Sequence, residues 1–588
     1  MTGRRIMAGF VMAALGVLAG ERAHAAPAVT RPTGQTTPFP VLFDTGEFPT
    51  KGLAAAGMSS AARGWKLVPA DTASLRFLGD VVMANDKLVI VLPKGGAGAH
   101  LYTRNADALT SRGVLAPADA EDGLILSAAT IAENSLAAVA LQATFKSKDG
   151  GLSVFTFRLT TGAMMVKVTA GAGAKKLCIE QCISYVIVPD YFAADAVVWA
   201  NPRGPDRAGL PTENCLMSLL TGGDAISVCL WQHPANAEAV CPGKGGIRGI
   251  QGVEIGCSQG ATLWVAMLER PGIWYSQELG PTSNDVELSW KRPFEAKWRC
   301  DVVSANLLAQ SLPFRAADYD SASAKDSPRC WFDSGKAFVH RPLGSKSGHP
   351  GSANAATAII YPIDRDVSTP LTAFCVVDAM RAALGTGPCQ YVLDTEGLGN
   401  NSQATPDVVG HWIEEQFKKG KAKQQSAILR QRLDQLTRHV EGVEGRIADY
   451  ARKLEQVKAF CEKEATSPGA RLPAQQVLAI LEESQTVRPA PEGLAKVVTR
   501  LAEEILALAE KNDSLAACQK MTGQILSVGA TQDRAMAVYR MTSRRIVLLC
   551  RGAEGPGPAA LAVEIQKLMQ PVLTTQPTTP TQPRGDSR

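Results

Sequence analysis

Two rules govern where apolar residues fall in this chain. From about residue 41 to 301 they alternate with polar ones in short runs broken by Gly, Asn and Asp. Phe155, Phe157 and Leu159 alternate with Thr156 and Arg158, and Met164, Val166 and Val168 alternate with Met165, Lys167 and Thr169. A period of two with frequent turn residues predicts β-strands. Leu88–Leu92 reads as a buried strand, and Cys178–Val188, Ala225–Trp231 and Thr262–Leu268 continue the series. The pattern predicts a large β-sandwich region over 41–301.

From Leu429 to Cys461 the rule changes. Leu429, Leu433, Leu436, Val440, Val443, Ile447, Tyr450, Leu454, Val457 and Cys461 step by 4 and 3 without a break. That is a heptad seam on a helix about 50 Å long. Leu494, Val498, Leu501, Ile505 and Leu508 repeat the spacing, which suits an antiparallel partner in the same chain. The alternative is self-association through 429–461. Gly442 and Gly445 each cost this helix about 1 kcal/mol, so packing has to hold it. Further helices are expected over Asp407–Lys419, Ala474–Glu483, Thr531–Leu549 and Ala559–Met569. Together these predict a helical bundle with coiled-coil heptads over 405–572.

Between the two lies a mixed α/β segment, 302–404. Ala355–Pro362 and Gln390–Asp394 read as strands, and Thr369–Leu384 reads as a helix with Pro370 near its start and Gly385 past its end. The fold class is therefore multidomain β plus α. Residues 26–40 form a Pro/Thr linker. Residues 573–588, rich in Thr, Gln and Pro, are expected to be a disordered tail.

Residues 1–25 carry the marks of a signal peptide: Arg4 and Arg5, an apolar run from Ile6 to Gly20, then Ala23-His24-Ala25. No later stretch is long and apolar enough to span a bilayer. The expectation is export to the periplasm or the exterior. The net charge of +5 is too small to argue for nucleic acid or an anionic membrane as partner. Export permits disulfides among the 13 cysteines, and an odd number leaves one unpaired within the chain. Cys241 and Cys257 bracket a Gly-rich segment whose hairpin would bring them together. Cys178 and Cys182 share a strand face too far apart to bond. No cofactor motif and no zinc-type cysteine pairing is present, so neither cofactor nor metal is expected.

Gly79-Asp80-Val81-Val82, then Asn85-Asp86-Lys87-Leu88-Val89-Ile90-Val91-Leu92 and Gly95-Gly96, resembles the opening strands of the galactose-mutarotase-like supersandwich. The resemblance covers residues 79–96. It implies a fold that recurs in polysaccharide lyases and glycoside hydrolases; no catalytic signature of those families accompanies it.

Asp394 and Glu396 are the candidate catalytic carboxylates. They sit two apart at an expected strand end, about 6–7 Å from each other, a spacing usable for acid/base cleavage of a glycosidic bond. A strand end running into Gly397 and Gly399 is also where acidic residues cap turns. Pro271-Gly272-Ile273-Trp274-Tyr275 reads as a turn presenting two aromatics, so Trp274 and Tyr275 are the candidate ligand-binding pair. The reading that follows is an exported, non-catalytic envelope or extracellular protein. Its sandwich would bind a ligand, with polysaccharide as the expected partner, and its helices would serve as spacer or assembly element. A secreted carbohydrate-active enzyme and a purely structural envelope protein are the alternatives.

Overall fold

The computed structural model describes residues 39–48, 50–51, 53–118, 123–189, 195–200, 206–212, 214–232, 235–241, 249–280, 285–304, 309–316, 329–340, 356–366, 373–384, 405–467, 470–485, 492–511, 515–551 and 556–569. Strands dominate up to Arg365 and long helices take over from Pro406, the β plus α architecture expected.

Two antiparallel sheets pack across one core. The first runs, in spatial order, β2 (Lys66–Val68), β1 (Val41–Asp44), β3 (Val81–Ala84), β4 (Leu88–Leu92), β5 (Ala99–Asn105), β6 (Ala108–Pro117), the first half of β11 (Lys176–Val188), β17 (Ile250–Gly256), β16 (Ala237–Val240) and β13 (Arg207–Leu210). The second runs β7 (Ile125–Asn134), β8 (Ala138–Lys146), β9 (Leu152–Thr160), β10 (Met165–Ala170), β18 (Thr262–Glu269), β15 (Ala225–Trp231), β14 (Cys215–Leu220), the second half of β11 and β12 (Ala196–Val198). Strand β11 belongs to both. Its pairing with β17 shifts register between Glu180 and Ile183, and the bulge there bends it from one sheet into the other. Gly113 faces that bend at φ 141, where a Cβ would overlap the Glu180 carbonyl.

The alternation seen in the sequence is the core pattern. Phe155, Phe157, Leu159, Val166 and Val168 are fully buried between the sheets with Leu88, Ile90 and Leu92. Strand β4 is apolar throughout because its other face is covered too. Val89 and Val91 pack with Leu53 and Met58 of two short helices, α1 (Leu53–Ala56) and α2 (Met58–Ala61). Asn85 pins the two sheets together at one end. Its side-chain amide donates to the carbonyls of Thr160 (2.8 Å) and Ala163 (2.9 Å), and its Oδ1 accepts from the backbone of Lys87 and Leu88.

A third sheet runs β19 (Tyr275–Leu279), β25 (Ala356–Arg365), β21 (Ala296–Ser304), β22 (Ala309–Ala316), β23 (Arg329–Asp333), β24 (Lys336–His340) and β20 (Asp285–Leu288). Strand β21 passes through residue 301, and its neighbour β25 pairs also with β19. The described part of 302–366 thus continues a sheet begun at Tyr275. Trp290 and Trp298 pack edge to face at 4.8 Å in its core, beside Phe314 and Phe332. Helix α3 (Val376–Leu384) sets Val376, Ala379 and Met380 against the outer face of the second sheet. The expected strand Gln390–Asp394 lies outside the described residues.

The helical part comprises α4 (Pro406–Lys418), α5 (Ser426–Glu464), α6 (Arg471–Gln485), α7 (Leu494–Lys511), α8 (Leu515–Arg551) and α9 (Pro556–Met569). Helix α5 carries the heptad seam, and all its seam residues are buried except the half-buried Tyr450. Leu429 to Val440 pack with Val498, Leu501 and Ile505 of α7, and Leu454, Val457 and Cys461 with α6, α8 and α9. Glu444 accepts the Gly493 and Ala495 amides at the start of α7. It caps that helix's free N–H groups and anchors it antiparallel to α5. Helix α8 begins at Leu515, well before the expected Thr531. Thr522, Gly523 and Gly529 dilute its helical signal, and Gly529 is needed where a Cβ would meet the Pro406 ring at 2.9 Å. The helices dock on the sandwich through Arg544, which donates to the carbonyls of Val188 (3.2 Å) and Pro189 (3.0 Å).

Candidate ligand-binding cleft

Register builds a mixed row of side chains across the outer face of the second sheet. Lys167 on β10 is directly opposite Arg158 on β9 and Trp264 on β18, and Trp264 is in turn opposite Leu230 on β15. Directly opposed residues share a face and stand about 5 Å apart. Inward Val166 and Val168 fill the core, which leaves Met165 and Lys167 outward. Where α3 and Phe374 approach this face, they leave a cleft of about 380 Å³, lined also by Lys87, Thr160, Met164 and Met165. The Asn85 knot holds its rim, since Lys87, Thr160 and Ala163 are the residues it ties together.

The floor of the cleft is apolar and the rim is cationic. Arg158 pairs with Glu133 through Nε (2.7 Å) and Nη2 (3.3 Å), and that hydrogen bond holds the Glu133 carboxyl below its usual value. Lys87 lies 3.6 Å from Asp86. No carboxylate among the described residues is within ion-pair distance of Lys167, whose Nζ lies 6.0 Å from the centroid of the Trp264 ring. That is the outer limit of a cation–π contact and leaves the ammonium available to an incoming anion. No Asp, Glu, His or Cys is among the described residues lining the cleft. Those residues can bind, orient and neutralise an anion.

The site residues expected from sequence fall elsewhere. Asp394 and Glu396 lie outside the described residues. The exposed aromatic pair is corrected at Trp274, which is only 6% exposed. Its indole N–H donates to the Leu220 carbonyl at 2.9 Å, and its ring packs edge to face on Tyr185. An indole in a turn that finds a buried acceptor packs inward. Tyr275 is half-buried at the start of β19 and its hydroxyl donates to Gln277. Cys241 and Cys257 do not meet either. In the hairpin of β16 and β17, Val240 pairs with Gly252 and Ala237 with Ile255. Cys241 is therefore near the turn and Cys257 beyond the open end, about 20 Å along the ladder.

A carboxylate pair that sequence reading missed is sealed from substrate. Tyr361 Oη lies 2.6 Å from both Asp195 Oδ2 and Asp301 Oδ2. Arg299 donates to Asp195, and Ser311 donates to Asp301. Asp301 and Tyr361 have no exposed surface, so the cluster ties the sandwich to the third sheet. One hydroxyl proton cannot serve two carboxylates. Burial, with Asp195 beside it, pushes the Asp301 carboxyl up to about 7, so below that pH Asp301 supplies the missing proton.

No family model and no curated protein matches the chain. Among solved structures, the periplasmic domain of Thermotoga maritima YidC is similar at 10% identity, covering 34% of this chain and 86% of that one with a TM-score of 0.18. An alpha-N-acetylgalactosaminidase from Bifidobacterium bifidum is similar at 9% identity, covering 33% and 36%, TM-score 0.20. A glycoside hydrolase family 81 protein from Clostridium thermocellum is similar at 8% identity, covering 82% and 68%, TM-score 0.19. At such scores the likenesses carry no functional argument. No helix among the described residues is long and apolar enough to cross a membrane.

Proposed function

We propose that this is an exported, non-catalytic binding protein whose sandwich holds an acidic polysaccharide in the Lys167–Trp264 cleft, with the helical part as a docked spacer. The observation that carries the reading is Lys167, a cation without a carboxylate partner among the described residues, set beside half-buried Met165 and Phe374 over the buried Trp264. A uronic acid offers both complements: an apolar ring face and a carboxylate. The signal-like start supports export, and the sandwich architecture agrees with the supersandwich resemblance at residues 79–96.

The test is a panel of acidic and neutral polysaccharides incubated with the protein, following both retention and release of reducing or unsaturated ends. Retention of uronic acid polymers without release is the expected result. Retention of neutral polymers alone would reject the acidic-ligand reading.

The enzyme is the second reading, with Asp394 and Glu396 as its candidate carboxylates. Release of new chain ends that Asp394→Asn or Glu396→Gln abolishes would establish it.

A further inference from the structure

The third sheet is curled, and the curl brings two cysteines together. Its edge strands are β19 and β20, yet they meet: Gln277 on β19 accepts the Ser289 N–H just past β20 at 2.9 Å. Strand β22 makes a corner between them. It pairs with β21 as far as Pro313 and with β23 from Phe314 onward. Cys300 on β21 is opposite Leu312, and Cys330 on β23 is opposite Phe314. Both cysteines are buried in the core that the curled sheet encloses, with Trp290 and Trp298.

In a flat sheet, strands on either side of a common neighbour stand about 10 Å apart, beyond the reach of a disulfide. Here the two side chains face each other across the bend. The Cys300 and Cys330 thiols hydrogen-bond to each other, and Cys330 Sγ lies 4.0 Å from the Leu312 carbonyl on the strand between them. That hydrogen bond, and burial after it, hold the Cys300 thiol well above its usual value. A thiol so held is a poor nucleophile, so any exchange at this pair takes place as the chain folds, before the core closes.

We propose that Cys300 and Cys330 are joined as a disulfide when this chain folds in an oxidising compartment, and that the bond staples the two halves of the curled sheet. Each thiol gives up a proton and the pair gives up two electrons. The oxidant is a disulfide of a small molecule or a protein, which leaves as two thiols. The bond would close a loop of about 30 residues and so restrain the unfolded chain. The inference stands apart from the polysaccharide reading, because neither cysteine lines that cleft.

The test is synthesis of the full-length protein in a cell-free system buffered with reduced and oxidised glutathione. Remaining thiols are then blocked with N-ethylmaleimide in denaturant, and the unreduced protein is digested for mass spectrometry. The expected product is a linked peptide pair holding Cys300 and Cys330, two hydrogens lighter than the separate peptides. Alkylation of both, or a link from either to another cysteine, would overturn the proposal. A second measurement compares urea unfolding by tryptophan fluorescence in wild type and Cys330→Ala, each made with glutathione and then treated with dithiothreitol in the unfolding buffer. Without dithiothreitol the wild type should unfold at higher urea than the variant, and dithiothreitol should remove that difference. A midpoint gap that dithiothreitol leaves unchanged would reject the staple.

Discussion

The β-rich part and the helical part bury titratable groups in opposite ways. Where the sandwich meets the third sheet, Asp301 is closed in with Asp195, Arg299, Tyr361 and Ser311, and the cluster holds together by keeping a proton. In the bundle, His439 is buried beside the heptad seam, and burial, only partly offset by the Asp407 charge, holds it down at about 4, so it keeps a proton out. The difference follows from what surrounds each group. A carboxylate facing another carboxylate is easiest to bury neutral, and so is an imidazole whose burial outweighs the pull of one carboxylate. One chain therefore carries two acid–base dependences of opposite sign.

The largest expected effect is on the seam itself. Leu436→Ala removes a fully buried side chain from the α5–α7 contact and should cost the bundle about 2–5 kcal/mol, seen as a lower urea midpoint by helical circular dichroism. Tryptophan fluorescence reports mainly on the β-rich part, where eight of the nine tryptophans lie before residue 333. A fluorescence transition that moves as far as the helical one would show that the two parts unfold as one unit and dissolve the comparison.

The pH limbs come next. The Asp301 carboxyl sits at about 7 folded against 3.8 unfolded, so in that window the folded chain keeps a proton that the unfolded chain loses. Its contribution to stability is fully present at the acid end and is lost as pH rises through about 7. His439 sits at about 4 folded against 6.5 unfolded, so its contribution is present above 6.5 and is lost as pH falls toward 4. Urea midpoints across this range should lose the first limb in Asp301→Asn and the second in His439→Leu. Swapped limbs would contradict the account.

The smallest effect is at Gly445, on the exposed face of α5 with open space where a Cβ would stand. Gly445→Ala should raise the helical midpoint by up to about 1 kcal/mol and leave fluorescence unchanged.

How far the sequence was legible also differs between the parts. Heptad steps name the buried face of α5 residue by residue, because helical periodicity is local. Alternation in β9 and β10 likewise puts Arg158, Met165 and Lys167 outward. It cannot show that β18, about a hundred residues later, lays Trp264 beside Lys167, since strand order is non-local. Trp274 was misplaced for a related reason: the Leu220 carbonyl that draws its indole inward lies at the end of another strand. The Asp195–Asp301–Tyr361 cluster gathers residues from segments far apart in the chain, with no spacing to betray it.

The central claim is that the Lys167–Trp264 cleft binds an anionic glycan. The most direct measurement is equilibrium binding of polygalacturonate to the full-length protein and to Lys167→Glu, a half-buried surface change, at two salt concentrations. The account predicts binding that weakens with salt and falls at least tenfold in the variant, a loss of about 1.4 kcal/mol or more. Equal binding by both proteins would contradict it.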